Sequence, residues 1–482
     1  MEIISRFKKI FQIDLRALSI FRIFLALLLI FDLIVRSLSL SAHYTNFGVL
    51  PLNIYLENFA DSRWISLHNL GGSLTYQIFL FSLAFLFALS LLVGYKTKLS
   101  IFVSWFLLIS LHSRNPYVLQ GGDVMLRLLF FWAIFLPLGA RYSIDSKLKN
   151  YNFKDKNFFS FWTAGILLQV AFVYFFSALL KTGNEWIKDG TAIYYSLQLD
   201  QFATYFGKFL LEFPDFLIYL TYFVYLVEFI GPVFLFMPFL FKQFRIVTSF
   251  TFIFLLIGMA LSLRLGHFPF VGITAFVLFL PSAFWDFLAR RLRIFRNKTK
   301  FGYFDKEIIN YGNYFLFISN FIALFFIIYV LLWNVQTLGK INAISDDFEF
   351  ISYNLRIDQY WNMFSPYPLK EDGWYIIEGR LSNGEVIDLF RNGDLVNYEK
   401  PEHVASLYKG ERWRKYLMNL WDRSYEVHRK YYLNYLCNDW NIKHPDKIVS
   451  HITLNFMLEV TGPDFKIEPI EKINLEEREC IS

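Results

Sequence analysis

Apolar residues fill long runs along the first two thirds of the chain and thin out beyond about residue 335. A run that approaches ~20 residues is long enough to cross a bilayer as a helix. The pattern predicts spanning helices near 17–37, 74–94, 99–113, 123–140, 158–180, 215–237, 244–263, 268–288 and 313–333. Lys8 and Lys9 ahead of the first run, with small residues at Ser39–Ala42, resemble a secretory signal. Arg22, Asp32 and Arg36 lie in or beside that run, and a cleavable segment should not carry them, so an uncleaved first helix is expected.

The polar intervals test this count. With the N-terminus inside, segments 1–16, 95–98, 141–157, 242–245 and 289–312 hold 20 Lys and Arg, against 6 in the opposite loops at 38–73, 114–122, 181–214 and 264–267. That is the bias of a positive-inside topology, and the run Arg290, Arg291, Arg293, Arg296, Lys298, Lys300 is its strongest anchor. One outer loop has its own pattern. Phe202, Tyr205, Phe206, Phe209, Leu210 and Phe213 recur at helical spacing, with Gln201, Lys208 and Glu212 off that face. This predicts an amphipathic helix over 201–213, lying in the membrane interface or packed on the outer domain.

The tail changes character. Trp374–Leu381 and Glu385–Phe390 flank Ser382-Asn383-Gly384, which predicts a β-hairpin; 403–435 has helical spacing, and Ile452–Val460 reads as a strand. The expected architecture is a polytopic α-helical membrane protein of about nine spanning helices, N-terminus inside, over residues 1–335, followed by a small α/β extracytoplasmic domain over 336–482.

Composition sharpens this picture. The chain is 55% hydrophobic and only 18% charged, below the charge content of a soluble domain. Its net charge of +6 follows the loop alternation and comes with no nucleic-acid motif, so no nucleic-acid partner is expected. Cys437 and Cys480 lack metal-ligand spacing, so no metal is expected; both fall in the tail, where export would allow them to pair.

Charges within spans are costly and face the bundle interior, as structural pairs or functional groups. Arg22, Asp32, Arg127 and Glu228 fall in spans. Asp123 and Arg127 stand four apart with the acid first, as do Asp32 and Arg36, a spacing that favours ion pairs. Lys181 ends the apolar run Phe172–Leu180 and precedes Thr182-Gly183-Asn184-Glu185-Trp186. A lysine in apolar surroundings loses solvation of its ammonium and can serve as a base; at a helix end it can also simply snorkel. His112 and His267 sit near outer helix ends, without ligand-like spacing. P-loop, dinucleotide, nucleophile-elbow and HExxH motifs are absent.

The order of certain residues is more specific than any one of them. Ile13-Asp14-Leu15-Arg16 and Phe21-Arg22-Ile23 open the chain; Tyr44 and Gly48-Val49-Leu50-Pro51 follow. Then come Arg114-Asn115-Pro116, Gly121-Gly122-Asp123 and Phe135-Leu136-Pro137-Leu138-Gly139. Lys181 with Trp186 and Gly190, Glu228 with Gly231-Pro232, and Gly266-His267-Phe268-Pro269 complete the membrane part. The tail carries Trp361-Asn362-Met363-Phe364-Ser365-Pro366 and Asp372-Gly373-Trp374. In this order the chain resembles the HTTM family, the membrane module of vitamin K-dependent γ-carboxylases and their bacterial relatives, over essentially its whole length.

The resemblance implies a chemistry. Those carboxylases use one lysine to deprotonate reduced vitamin K; oxygen adds, and a strongly basic alkoxide removes a substrate glutamate γ-proton before CO2 is taken up. The family's lysine-to-tryptophan spacing is matched by Lys181 and Trp186. Lys181 is therefore the expected base, with Asp123, Arg127, Trp186, Glu228 and His267 around a quinol pocket. The expected cofactors are reduced vitamin K or a menaquinol-type quinol, O2 and CO2; the expected partners are membrane lipid and a peptide or protein substrate. The resemblance places the protein in a bacterial inner membrane with its tail in the periplasm or outside. Carboxylating members carry a histidine some ten residues before the Gly-x-Phe-Pro turn, where this chain has Leu256-Ile257-Gly258-Met259. His112 stands displaced from the histidine expected near the third helix end. Quinol oxygenation with or without glutamate carboxylation is thus one reading. A non-catalytic scaffold or peptide-maturation and export partner is the second, and a transporter the third, although symmetric halves are lacking.

Overall fold

The structure is a computed structural model that describes residues 2–59, 66–148, 156–292, 313–463 and 465–480. The basic run anchoring the topology falls partly outside them, at Arg293, Arg296, Lys298 and Lys300. Helices of the membrane part are α1 (Leu15–Ser37), α2 (Leu74–Val93), α3 (Thr97–Arg114), α4 (Gly121–Ala133), α5 (Phe161–Leu180), α6 (Pro214–Phe234), α7 (Phe241–Ser262), α8 (Phe268–Phe276), α9 (Ser282–Leu292) and α10 (Asn313–Gln336). Local chemistry sets their ends. The Asp14 carboxylate accepts the Arg16 N–H at the start of α1, Ser160 and Thr163 form a reciprocal cap on α5, and Gly94 closes α2 in the left-handed region at φ 70°.

Each apolar run contains a helix, but the helices are unequal, and the run at 123–140 leaves helix after Ala133. Among the described residues six are long and apolar enough to cross a membrane: α1, α2, α5, α6, α7 and α10. The run at 268–288 is a pair bent by 99°, with α8 on one side and α9 on the other; counted as one span it makes seven. The runs at 99–113 and 123–140 lie on α3 and α4. With 13 residues, α4 rises about 20 Å, short of the ~30 Å hydrocarbon core. It is almost wholly buried and packs against α3, α5 and α8. The chain is thus a polytopic helical membrane protein, with Phe317, Phe321, Val247 and Phe254 among the apolar side chains turned outward.

The bundle has two chemically distinct ends. At one, Asp145 accepts the N–H groups of Lys96 and Thr97, Arg16 pairs with Asp14 and Asp286, Arg245 donates to the Ile10 carbonyl, and Arg22 donates to the carbonyls of Leu138 and Tyr142. The other end carries the tail. Its sheet has the order β3-β2-β1-β4-β5, built from β1 (Glu371–Leu381), β2 (Val386–Asp388), β3 (Asp394–Leu395), β4 (Val449–Val460) and β5 (Glu471–Glu479), all antiparallel. The expected hairpin is β1–β2, with Gly379 opposite Ile387 and Gly384 at φ 91° in the turn. The expected strand is β4, an inner strand between β1 and β5. The helical stretch is α12 (Glu411–Trp421) and α13 (Arg429–Lys443), numbered after α11 (Asp346–Leu355). Cys437 and Cys480 form a disulfide that ties α13 to the end of β5.

Between α11 and the sheet, residues 356–366 leave regular structure and enter the bundle. Ile357 and Trp361 belong to its apolar core. Gln359 donates to and accepts from Gln169 of α5, and its carbonyl accepts the Trp333 indole N–H of α10. The predicted amphipathic helix is shorter than its pattern, Tyr205–Leu210. Tyr205, Phe206, Phe209 and Phe213 are exposed, as an interfacial face requires, while Phe202 is buried beneath the Arg414 guanidinium.

Candidate functional site

The sequence-expected site residues divide into two clusters and one bridge, all near the end that carries the tail. The first cluster forms where α5 stops. Lys181 caps that helix with its N–H on the Ala178 carbonyl, and the residue is 3% exposed. Its ammonium pairs with Glu228 of α6 and lies 3.4 Å from Ser177 Oγ. The Trp186 ring lies under it at 4.6 Å. Tail residues hold this turn: the Phe364 carbonyl accepts the Trp186 indole N–H at 2.9 Å, and the Pro366 carbonyl accepts the Gly183 N–H at 2.9 Å. The Trp361–Pro366 motif thus works as a wall of the Lys181 site.

Tyr174 and Ser177 precede Lys181 by seven and four residues on the same face of α5. Among the described residues the buried Tyr174 hydroxyl has no hydrogen-bond partner; it lies among the rings of Phe252 and Phe276. A Cβ on Gly272 would stand 2.7 Å from that hydroxyl and 2.7 Å from Leu256 Cδ1. Leu256 is therefore an apolar neighbour of Tyr174. The face runs from an open hydroxyl through a second one to the amine, an arrangement suited to a polar group at the end of an apolar ligand.

The second cluster is a closed ring of charge. Asp32 and Arg36 pair within α1 at 2.7 Å, as their spacing predicts. Asp123 and Arg127 do not pair with each other. Asp123, at the first turn of α4, accepts from Arg36 at 2.5 Å and from both terminal nitrogens of Arg412, while Arg127 turns to Asp358 at 2.7 Å. The competing partners come from the tail, so the i,i+4 rule for an isolated helix loses to tertiary contacts. Arg412 also reaches Asp32 at 2.5 Å. His112 and His267 each stand 3.6 Å from Asp123.

Asp32, Asp123 and His267 have ligand atoms within 4.8 Å of one another. The donor set does not fit a cation. Each of the four carboxylate oxygens already accepts from a guanidinium, and two aspartates balance two arginines. Arg412 carries no motif in the sequence, and neither Tyr174 nor Ser177 stands out from an apolar run. Arg127 bridges the clusters to segment 356–366, and Glu228, Trp186 and Lys181 meet as one group.

Other motif residues meet at this same end. Arg114 donates to the Leu50 carbonyl at 2.9 Å, Asn115 to the His43 carbonyl at 2.9 Å, and Arg36 to the Tyr44 hydroxyl at 2.6 Å. Outside the membrane part, β1 docks on the loop after Leu199. Asp372 accepts the N–H groups of Asp200 and Gln201, and burial pushes its carboxyl up to about 7. Asp200 in turn pairs with Lys208 and Lys400, which hold its carboxyl below the usual range against the opposing effect of burial.

A family model described as the HTTM domain matches residues 11–285, more than half of the chain. No curated protein and no solved structure matches it.

Proposed function

The chain belongs to the HTTM domain family, and on that premise we propose that it is a membrane enzyme of the vitamin K-dependent γ-carboxylase type, acting on a lipid quinol with Lys181 as base. The observation that carries this reading is the buried Lys181 between Glu228 and Trp186, at the end of a face bearing Ser177 and the open hydroxyl of Tyr174. The bias of Lys and Arg toward one set of loops supports a topology with the N-terminus inside and this end, with the tail, outside the cytoplasm of a bacterial inner membrane. A disulfide in the tail suits that compartment.

The residues suit a quinol in chemistry: Trp186 beside Lys181, and Phe252 and Phe276 beside Tyr174, are aromatic surfaces that would hold its ring, and Lys181 with Ser177 would meet one of its hydroxyls. When bound, it supplies the reducing power: quinol and O2 give quinone epoxide and water. Lys181 must be a free amine to take the quinol proton. Glu228 can accept the ammonium proton with the pair still neutral, and when the amine then takes a quinol proton the added positive charge would be balanced by the quinolate beside it. The Trp186 ring face stabilises the ammonium form and so favours that uptake. With Leu256 beside Tyr174, oxygenation is the half-reaction these residues support; CO2 and a glutamate-bearing substrate belong to the reading only if a base is supplied from elsewhere.

One observation favours a non-catalytic scaffold or maturation partner: Lys181, Asp32, Asp123 and Arg127 all have ionic partners already. The deciding experiment uses protein in nanodiscs with vitamin K hydroquinone or menaquinol and O2, with epoxide read by mass spectrometry. Epoxide from wild type, lost in Lys181→Ala, is the expected result. Folded wild type that yields no epoxide with either quinol refutes the enzyme and leaves the scaffold.

A further inference from the structure

A cavity of about 870 Å³ lies away from both clusters. Its floor is the groove between α1 and α2, and its roof is the tail, from Lys409 through Trp413 to α13. That volume is within the range of a ligand pocket, roughly 300–1,000 Å³. Its polarity is graded. Toward the bilayer the walls are Ile34, Ile78, Phe85 and Leu86, on two of the most apolar helices; Ile34, Ile78 and Leu86 are about half exposed, so the groove is open sideways to hydrocarbon.

At the top the chemistry changes to that of a membrane surface. The Trp413 and Tyr435 rings stack at 5.8 Å, and the Trp413 indole donates to Ser39 Oγ at 3.1 Å. Lys409 is exposed, and no acidic partner is recorded for it among the described residues. Lys443 pairs with Asp439 at 2.8 Å, leaving the rim with a net positive charge. From Leu74 to Leu86 the wall on α2 rises about 18 Å, slightly more than half of the ~30 Å hydrocarbon core. The groove is therefore one leaflet deep.

We propose that this cleft holds an anionic phospholipid of the leaflet on the tail's side, its acyl chain between α1 and α2 and its phosphate at Lys409 and Lys443. The aromatic pair suits the depth of the headgroup boundary, where Trp and Tyr concentrate. The net positive charge of the rim, with Lys409 unpaired among the described residues and Lys443 offset by Asp439, favours an anionic over a zwitterionic lipid. The lipid joins the tail to the first two helices, on the opposite side of α1 from the Arg412 ring. The proposal is independent of the chemistry at Lys181.

The test is native mass spectrometry of the full chain from detergent, with phosphatidylglycerol, phosphatidylcholine or menaquinone added in turn. Wild type should retain one phosphatidylglycerol in preference to phosphatidylcholine. Lys409→Glu should weaken that retention by at least about fivefold, as expected for a lysine near a charged headgroup. Ser82→Trp, which fills the groove from an exposed wall position, should abolish it for both phospholipids. Thermal unfolding of each variant at the wild-type temperature shows that the fold is kept. Equal retention of both phospholipids, indifference to both substitutions, or preference for menaquinone overturns the proposal.

Discussion

Replacing Arg412 with leucine tests whether charge balance holds the tail to the bundle. Arg412 donates to the Val118 carbonyl, to both oxygens of Asp123 and to Asp32, while Arg36 supplies the remaining positive charge. The wild-type ring has two negative and two positive groups; Arg412→Leu leaves two carboxylates facing one guanidinium in a buried site. Breaking a buried pair by removing one partner costs roughly 3–5 kcal/mol, because the other charge stays behind. Adding Asp32→Asn restores one charge of each sign and should return about half of that loss, although each single change is damaging alone. The assay is thermal unfolding in detergent, with loss of monodispersity as readout and limited proteolysis of the tail as a second measure. A double variant no more stable than Arg412→Leu alone, or one that loses the full sum of the two single effects, refutes charge balance as the source of the stability.

Asp372 predicts a pH dependence of tail docking. Its folded pKa is raised to about 7 by burial, so the folded state holds a proton that the unfolded chain releases near pH 4. Its contribution is full below about pH 4 and is lost as pH rises through 7, a change of roughly 3–5 kcal/mol; protease resistance of the tail should fall between pH 5 and 8 in wild type and stay level in Asp372→Asn. Reducing the Cys437–Cys480 bond, which closes a separation of 43 residues, should cost about 4 kcal/mol on the chain-entropy scale. The Cys437→Ser tail should unfold at lower urea than wild type, and coincident transitions would count against the bond as a stabilising link. Tyr174→Phe removes a buried hydroxyl without a partner, so stability should hold or rise by up to about 1 kcal/mol, while quinol turnover falls; a loss of stability would mean that the hydroxyl has a protein partner.

The membrane part was legible where length and apolarity agreed, as in α1 and α5. It was less so at α4, whose run continues past the helix end at Ala133 into Pro137 and whose residues are buried in protein. Apolar periodicity registers burial, not whether lipid or other helices provide it. In the tail, β1, β2 and β4 carried alternation or a turn signal. The strand β5, Glu471-Lys472-Ile473-Asn474-Leu475-Glu476-Glu477-Arg478-Glu479, was missed because an edge strand faces water and carries charge that guards it against further pairing. Lys181, Glu228 and Trp186 were legible as a group because cost in the membrane and family order both marked them. Arg412 was not, since one arginine among many on a polar helix reveals nothing of the carboxylates it will meet.

The wall that segment 356–366 builds against Lys181 also sets an order in time. Trp186 meets the carbonyl that orients it only when Phe364, 178 residues later, has been made. At ~5–20 residues per second, translation separates the two by roughly 10–35 s. During that interval the nascent bundle holds the amine and its carboxylate without the wall on that side. The Lys181 cluster is enclosed only after the final long membrane helix, and a chain released early would carry the buried Lys181–Glu228 pair without that wall.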